Sequence, residues 1–246
     1  NIAGIYAVGE AAGTHGATRP GGSALNAGQV FGTRVAEHIA ASGRAQVTSD
    51  VDAKLQTRAA FMGIAAVLNA DSTYRLQDIR ADVQARMSDH AGILCNAKDV
   101  AQARRHTEAL NKDLRHNGIR ITRPSEAGRA LQWLQMALAS EAVLAALDHY
   151  ISEGGGSRGA RAICDPGGGS LPLSRLGALP DVRFRPEREE DMQSQILVRL
   201  DGDKFVITTR PNRSFDTDGK SFFERDWPAW LTGGVFDLDE KGTLSC

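Results

Sequence analysis

The stretch whose reading decides the fold is Ile5 to Gly32, IYAVGEAAGTHGATRPGGSALNAGQVFG. It opens on an apolar run, Tyr6-Ala7-Val8, which reads as a short buried strand. Gly9, Gly13, Gly16, Gly21 and Gly22 follow, with one acid (Glu10), one histidine (His15) and one arginine (Arg19) among them. Glycines in that number let the backbone turn tightly and approach a ligand without Cβ atoms in the way. From Ser23 to Ala41 apolar residues recur at helical spacing, and Ser42-Gly43 is a normal helix stop. Leu25, Val30, Val35 and Ile39 are expected to face inward, and Ala24, Ala27 and Gly28 leave room for close backbone packing. A strand, a glycine loop and a helix start aim backbone N–H groups and the positive end of a helix dipole at whatever the loop holds.

Outward from there, helical patterning dominates Val51 to Glu153. Leu55, Ala59, Met62, Ala66 and Val67 form one apolar stripe; Leu76, Ile79, Val83 and Met87 form a second. A third helix is expected from Asp99 to His116, with a stop at Asn117-Gly118 and a surface carrying Arg104, Arg105, Glu108, Lys112 and Arg115. A longer one follows Pro124, with Ser125 as its N-cap and Leu131, Leu134, Leu138, Val143, Leu144 and Leu147 as apolar positions. Amphipathic helices with short connectors read as an antiparallel bundle. At Gly154-Gly155-Gly156 the pattern stops, and residues 154–190, rich in Gly, Pro and Arg, read as irregular. The runs 193–200 and 204–210 flank Asp201-Gly202-Asp203 and read as a β-hairpin. The tail carries Phe222, Phe223, Trp227, Trp230, Val235 and Phe236 and is expected to pack on that hairpin.

The composition is that of an ordinary globular chain of 246 residues, 41% hydrophobic and 24% charged. A net charge of −1 argues against a nucleic-acid or membrane-surface protein working by bulk electrostatics. No continuous apolar run approaches the roughly 18 residues that span a bilayer. Cys95, Cys164 and Cys246 are far apart and form no C-x-x-C pair, so neither a zinc site nor a disulfide framework is expected, and no metal site is assigned. A reducing, cytoplasmic setting is the default. Asn1 leads almost directly into the first strand. A buried strand there needs partner strands, so the expectation is the C-terminal part of something longer, or one half of a two-chain fold.

Three motif pieces carry a resemblance. The first is Gly4-Ile5-Tyr6-Ala7-Val8-Gly9-Glu10 followed by His15-Gly16-Ala17-Thr18-Arg19-Pro20-Gly21-Gly22-Ser23-Ala24-Leu25. The second is Val83 to Ile93, with Met87 and Ala91-Gly92-Ile93 at its key positions. The third is Gly156-Ser157-Arg158-Gly159-Ala160-Arg161. In order and spacing these resemble the succinate dehydrogenase/fumarate reductase flavoprotein family, which includes L-aspartate oxidase, over about residues 1–166. The family forms are G-L-Y-A-x-G-E, H-G-A-N-R-L-G-x-N-S-L, L-x-x-x-M-x-x-x-A-G-I and E-S-R-G-A-H. Here Thr18 replaces Asn, Pro20 replaces Leu, Ser23-Ala24 replaces Asn-Ser, Gly156 replaces Glu and Arg161 replaces His.

The resemblance implies a fold that is mainly α with a small β part. Residues 1–45 would be a strand–glycine loop–helix piece of a Rossmann-like FAD domain, and 46–153 an antiparallel helical bundle. Residues 154–246 would hold the irregular Gly/Pro-rich segment, the β-hairpin and the aromatic tail. It implies FAD as cofactor, with Glu10 on the ribose hydroxyls and Ala24 and Leu25 at the flavin edge. Arg19 would grip the substrate carboxylate, with Gly22 and His15 beside it. Guanidinium suits that task because it binds carboxylate bidentately and keeps its charge. The reaction would be hydride transfer between the flavin and a carbon–carbon bond next to a carboxylate or carbonyl of a small substrate. The family's G-x-G-x-x-G pyrophosphate loop is not in this sequence, so the implied partner is the N-terminal FAD-binding half, on the same precursor or a separate chain. Any association with a membrane would run through further subunits of a complex.

Other readings stand beside this one. The chain can instead be a non-catalytic fragment or subunit, serving as an interaction or structural module for a partner chain. His15 reads either as an active-site histidine or as a loop histidine bonded to backbone. Ser157, in G-G-S-R-G, lacks the strand before and helix after that a nucleophile elbow needs, and reads as a structural turn. Arg158 and Arg161 read either as reaching the flavin region or a partner chain or, as is commoner for such arginines, as holding a loop by salt bridges. Cys95 and Cys164 read as buried inert thiols.

Overall fold

The computed structural model describes residues 4–13, 15, 21–42, 49–159, 161–170, 182–212 and 227–233. They belong to two compact units: one from residues before Ser49 together with those after Asn212, the other from Ser49 to Asn212. As expected, the fold is mainly helical with a small β part.

In the first unit, residues 5–8 run into Val8 with extended backbone, φ −132° and ψ 163°. They pair with no strand among the described residues, and Ile5 is 68% exposed. The expected buried strand is thus extended but bare, because none of the described strands lies alongside to complete its ladder. A 3₁₀ turn, Gly9–Ala12, follows and is closed by Gly13 at φ +70°, whose N–H donates to the Glu10 carbonyl at 3.0 Å. Helix α1 is Gly21–Ser42. Its expected inward stripe is largely outward: Leu25 is 78% exposed, Val30 and Ile39 are exposed, and Val35 is half-buried. Gly9 packs beside Gly28, but a Cβ on Gly9 would lie at an ordinary contact distance, 3.4 Å, from the Gly28 Cα. One on Gly28 would meet nothing within 4 Å among the described residues, so the approach does not require the glycine expected to permit it. Near the other end of the chain, the short helix α6, Trp227–Leu231, stacks Trp227 on Trp230 at 5.1 Å. The Trp230 indole N–H donates to Glu37 of α1 at 3.1 Å. This part of the tail therefore joins α1 rather than the hairpin; Phe222, Phe223, Val235 and Phe236 lie outside the described residues.

The second unit is a bundle with a small sheet. Helices α2 (Asp50–Ala66), α3 (Leu76–His90), α4 (Ala97–Asn117) and α5 (Ala127–Ser152) follow in order. Helix α4 starts two residues before expectation, where the Asn96 side chain accepts the Asp99 N–H at 2.9 Å. It ends on Gly118 at φ +66°, where a Cβ would lie 2.8 Å from the Val67 carbonyl, so both turn and packing require glycine. Helix α5 is entered through a 3₁₀ turn, Pro124–Glu126. Glu126, not Ser125, closes that start by accepting the N–H groups of Thr122 and Arg123 at 2.8 and 3.2 Å.

Helices α3, α4 and α5 enclose two neighbouring apolar clusters. One is built on Val100, Leu144, Ile151 and Ile163, the other on Ile79, Val83, Leu114 and Ile119, and Met87 packs against both. Burying a side chain such as Leu144 or Leu114 contributes about 1.5–3 kcal/mol. Between α4 and α5 the small residues Ala103, Ala137 and Ser140 bring the backbones close. A polar seam accompanies them: Thr107 and Ser140 hydroxyls lie 3.1 Å apart, and the Asn111 amide donates to Glu141 at 2.7 Å and to the Ala137 carbonyl at 3.1 Å. The segment Pro124–Ser152 is long and apolar enough on average to cross a membrane; here Ala130, Ala137, Leu144 and Ile151 make it the core helix of the unit. The expected stripe of α2 does not pack: Leu55, Ala59, Met62 and Ala66 are exposed and Val67 is half-buried. A hollow of about 480 Å³, lined by Ile64, Leu134, Leu138 and Leu200, separates its inner side from α5.

Residues 154–190 are not irregular throughout. Strand β2 (Ala162–Ser170) lies between β1 (Leu94–Asn96), parallel, and β3 (Arg183–Phe184), antiparallel. The sequence hides β2 because Asp165-Pro166-Gly167-Gly168-Gly169 has no alternation, and its register shifts between Cys164 and Gly169. The expected hairpin is present as β4 (Ser194–Asp201) and β5 (Lys204–Pro211), paired from Ser194↔Pro211 to Asp201↔Lys204. Gly202 has φ +61° and Asp203 a negative φ, the pattern of a type II′ turn. Ile196, Val198, Phe205 and Ile207 form the half-buried face, laid on α5.

Candidate functional site

The glycine loop of the first unit places its candidates unevenly. Glu10 is exposed, in the 3₁₀ turn directly after the extended segment. His15 is half-buried; both its ring nitrogens are shielded from solvent and have no hydrogen-bond partner among the described residues. Gly22 is the second residue of α1, and Ala24 (half-buried) and Leu25 (exposed) complete its opening turn. A Cβ on Gly21 or Gly22 would meet nothing within 4 Å among the described residues. Arg19 lies outside the described residues.

The other two motif pieces meet in the second unit. The Ala162 N–H donates to the Ile93 carbonyl at 2.7 Å, and β1 and β2 pair from Leu94↔Ala162 onward. Arg161 reaches the Ala91 carbonyl with Nε and Nη2, each at 3.3 Å. Arg158 donates to the Asp191 carbonyl and lies 3.6 Å from Glu187. Both arginines hold loops, as the sequence suggests. The Ser157 hydroxyl accepts the Ile163 N–H at 2.9 Å, which makes it a turn-closing group and leaves it no base.

Sequence reasoning missed the group that pins this region. The Tyr150 hydroxyl lies 2.8 Å from both the Gly156 carbonyl and the Asp191 carboxylate, and the Gly156 N–H donates to Asp191 at 3.1 Å. Arg188 pairs with the same carboxylate, and Arg185 bonds Asp165 and the Ile151 carbonyl, each at 2.7 Å. No spacing announces partners 35 to 41 residues apart. The Arg188 guanidinium, outweighing burial, takes the Asp191 carboxyl down to about 2. Burial, with Asp191 beside it, pushes the Tyr150 hydroxyl up to about 12.

A carboxyl with a lowered folded-state pKa adds stability above its unfolded value, about 3.9, and loses that stability as pH falls through the folded value. Asp191→Asn is therefore expected to lower the melting temperature near neutral pH. The gap between variant and parent should close as pH drops from about 4 towards about 2. Melting curves across that range test this; a gap independent of pH would show that the Asp191 charge contributes nothing.

Among the described residues no three His, Cys, Asp or Glu side chains are grouped closely enough to hold a metal. Cys95 is buried, its thiol pushed up chiefly by desolvation; burial also raises the Cys164 thiol. Neither has the lowered pKa of a reactive cysteine.

Fold and loop together define a class: a glycine turn leading into a helix, then a bundle with a small mixed sheet and a hairpin on its central helix. No family model matches the sequence, and no curated protein matches it. Among solved structures the chain is similar to a mutant of E. coli quinol fumarate reductase FrdA. The TM-score is 0.63 at 20% identity, over 87% of this chain and 34% of that one. At that identity the likeness is one of fold. The chain spans about a third of that protein's length, and the match extends past the 1–166 region that holds the three motif pieces.

Proposed function

We propose that the chain is the C-terminal part of an FAD-dependent oxidoreductase of the fumarate reductase/succinate dehydrogenase type. The observation that carries this is the fold likeness to FrdA across 87% of the chain, in a sequence holding the family's loop elements in order. The described residues suit the flavin-edge side of such a site. Among the described residues nothing crowds Gly21 and Gly22 at the start of α1, the two shielded His15 nitrogens have no hydrogen-bond partner, and Glu10 is exposed in the turn. Bound FAD would supply the redox chemistry, taking or giving the hydride. Glu10 would accept hydrogen bonds from ribose hydroxyls. The α1 N-terminus, through Ala24 and Leu25, would present N–H groups and dipole to the electron-rich edge of the ring. Arg19, flanked by His15 and Gly22, would hold and orient the carboxylate of a small substrate. The exposed apolar faces of α1 (Leu25, Phe31, Ile39) and, separately, of α2 (Leu55, Phe61, Met62) support a partner that covers them. That partner would be the FAD-binding half with the pyrophosphate loop.

Co-expression with that half is expected to give a complex showing flavin absorption bands, with α1 protected from hydrogen exchange. A complex that forms without flavin under every reconstitution condition would leave the chain an interaction module.

A further inference from the structure

A second concave site lies in the bundle, on residues that the flavin reading does not use. It is a hollow of about 860 Å³ between the start of α3, the strand-like segment after α4 and the first turns of α5. Four arginines line it: Arg75, Arg80, Arg120 and Arg129. They come from separate parts of the chain. Arg75 and Arg120 lie side by side as the two partners of an isolated parallel bridge. Like charges at such positions repel. Among the described residues no carboxylate pairs with any of the four. Arg80 bonds Gln84 at 3.3 Å and lies over the Trp133 ring, 5.9 Å from its centre. Among the described residues, Arg75, Arg120 and Arg129 make no side-chain hydrogen bond or ion pair.

The lining contains one acid, Glu126, and its charge is already engaged. Its oxygens accept the N–H groups of Thr122 and Arg123, the Thr122 hydroxyl and the Arg123 guanidinium. Those bonds, Thr122 first, take its carboxyl down to about 2, so it stays ionised and turned to its own backbone. The N-terminus of α3 opens on the same hollow: Arg75 stands at its N-cap position without a capping side-chain bond, and Leu76 and Gln77 line the wall. Helix N–H groups and dipole thus add to the guanidiniums. A chain of net charge −1 has concentrated four cations against one engaged acid in a concavity of small-ligand size.

We propose that this hollow binds an oligophosphate, either a free polyphosphate or the phosphate tail of a nucleotide. Forked guanidiniums match phosphate oxygens bidentately, and several converging forks favour a multiply charged anion over a single carboxylate. The half-buried Trp133 indole, beside Arg80, forms the apolar wall on which a base would rest. The inference is independent of the flavin reading, since it concerns other residues in the other unit.

The test is calorimetric titration of tripolyphosphate, and separately of ATP, into the chain at low ionic strength, with melting temperature as a second readout. One site is expected, weakening as salt rises. Arg120→Ala and Arg129→Ala should each weaken binding about tenfold or more, the loss of one charge-assisted pair. Each should also shrink the ligand-induced rise in melting temperature at a fixed ligand concentration. Arg105→Ala, on exposed α4 surface, should change neither. ATP binding tighter than tripolyphosphate, with fluorescence quenching lost in Trp133→Phe, would identify a nucleotide; equal affinity would identify the phosphate chain alone. Absence of binding at about 1 mM, affinity unchanged in both arginine variants, or binding of an acidic peptide with tripolyphosphate silent would each overturn the proposal.

Discussion

Arg19→Ala is expected to lower kcat/KM of the reconstituted flavoenzyme by about 10²–10⁴, with flavin content unchanged. The figure follows from losing two charge-assisted hydrogen bonds to a substrate carboxylate, about 1.5–3 kcal/mol each, at 1.36 kcal/mol per decade. Arg19→Lys should recover part of the loss, because a lysine keeps the charge but not the fork. Fumarate, the substrate in the FrdA neighbour's printed name, is the first probe. If the carboxylate is held mainly in the ground state, KM rises; if the grip tightens as charge builds up, kcat falls with it. Turnover within about twofold of the parent would remove Arg19 from the site and favour the interaction-module reading.

Gly156→Ala is expected to destabilise the second unit by about 3 kcal/mol or more, a fall of roughly 6–12 °C in melting temperature for a unit of this size. A Cβ at Gly156 would lie 2.0 Å from the Pro186 carbonyl oxygen and 3.1 Å from the Glu187 Cα. Both are backbone atoms, so no side chain can swing away. Moving the 186–187 segment would also break the bonds by which Tyr150 and the Gly156 N–H hold Asp191. Gly128→Ala is the control: it lies in α5 with nothing within 4 Å of an added Cβ, and should be neutral or raise stability by up to about 1 kcal/mol. If the two variants melt alike, the close approach at Gly156 is wrong.

Much of the second unit was legible because its signals are local. Ile79, Val83 and Met87 recur at helical spacing and are the inner face of α3. Asn117-Gly118 ends α4, and Asp201-Gly202 turns the hairpin. Strand β2 was not legible, because its pairing with β1 and β3 compensates for a Pro and three Gly that carry no strand pattern. The apolar residues of α1 and α2 recur at helical spacing, yet the structure leaves most of them exposed. Periodicity says which residues share a face, not whether another element covers it.

The candidate sites divide the same way. The glycine loop announced itself, since Glu10, His15, Gly22, Ala24 and Leu25 lie within sixteen residues and their spacing is their signature. The Tyr150–Asp191–Arg188 group and the four-arginine hollow did not, since each joins side chains from distant segments.

By itself, then, the sequence determined the helix-rich class, the hairpin and the resemblance of the loop, because hydrophobic period, turn glycines and motif spacing act over a few residues. Only the tertiary structure decided why Gly156 stands where the resembled family has glutamate, and why Arg161 stands where it has histidine. The Pro186 carbonyl occupies the space of a side chain at the first, and the Ala91 carbonyl accepts a guanidinium at the second. Steric exclusion and hydrogen-bond satisfaction between distant segments arise when the chain closes on itself, and no local pattern encodes them.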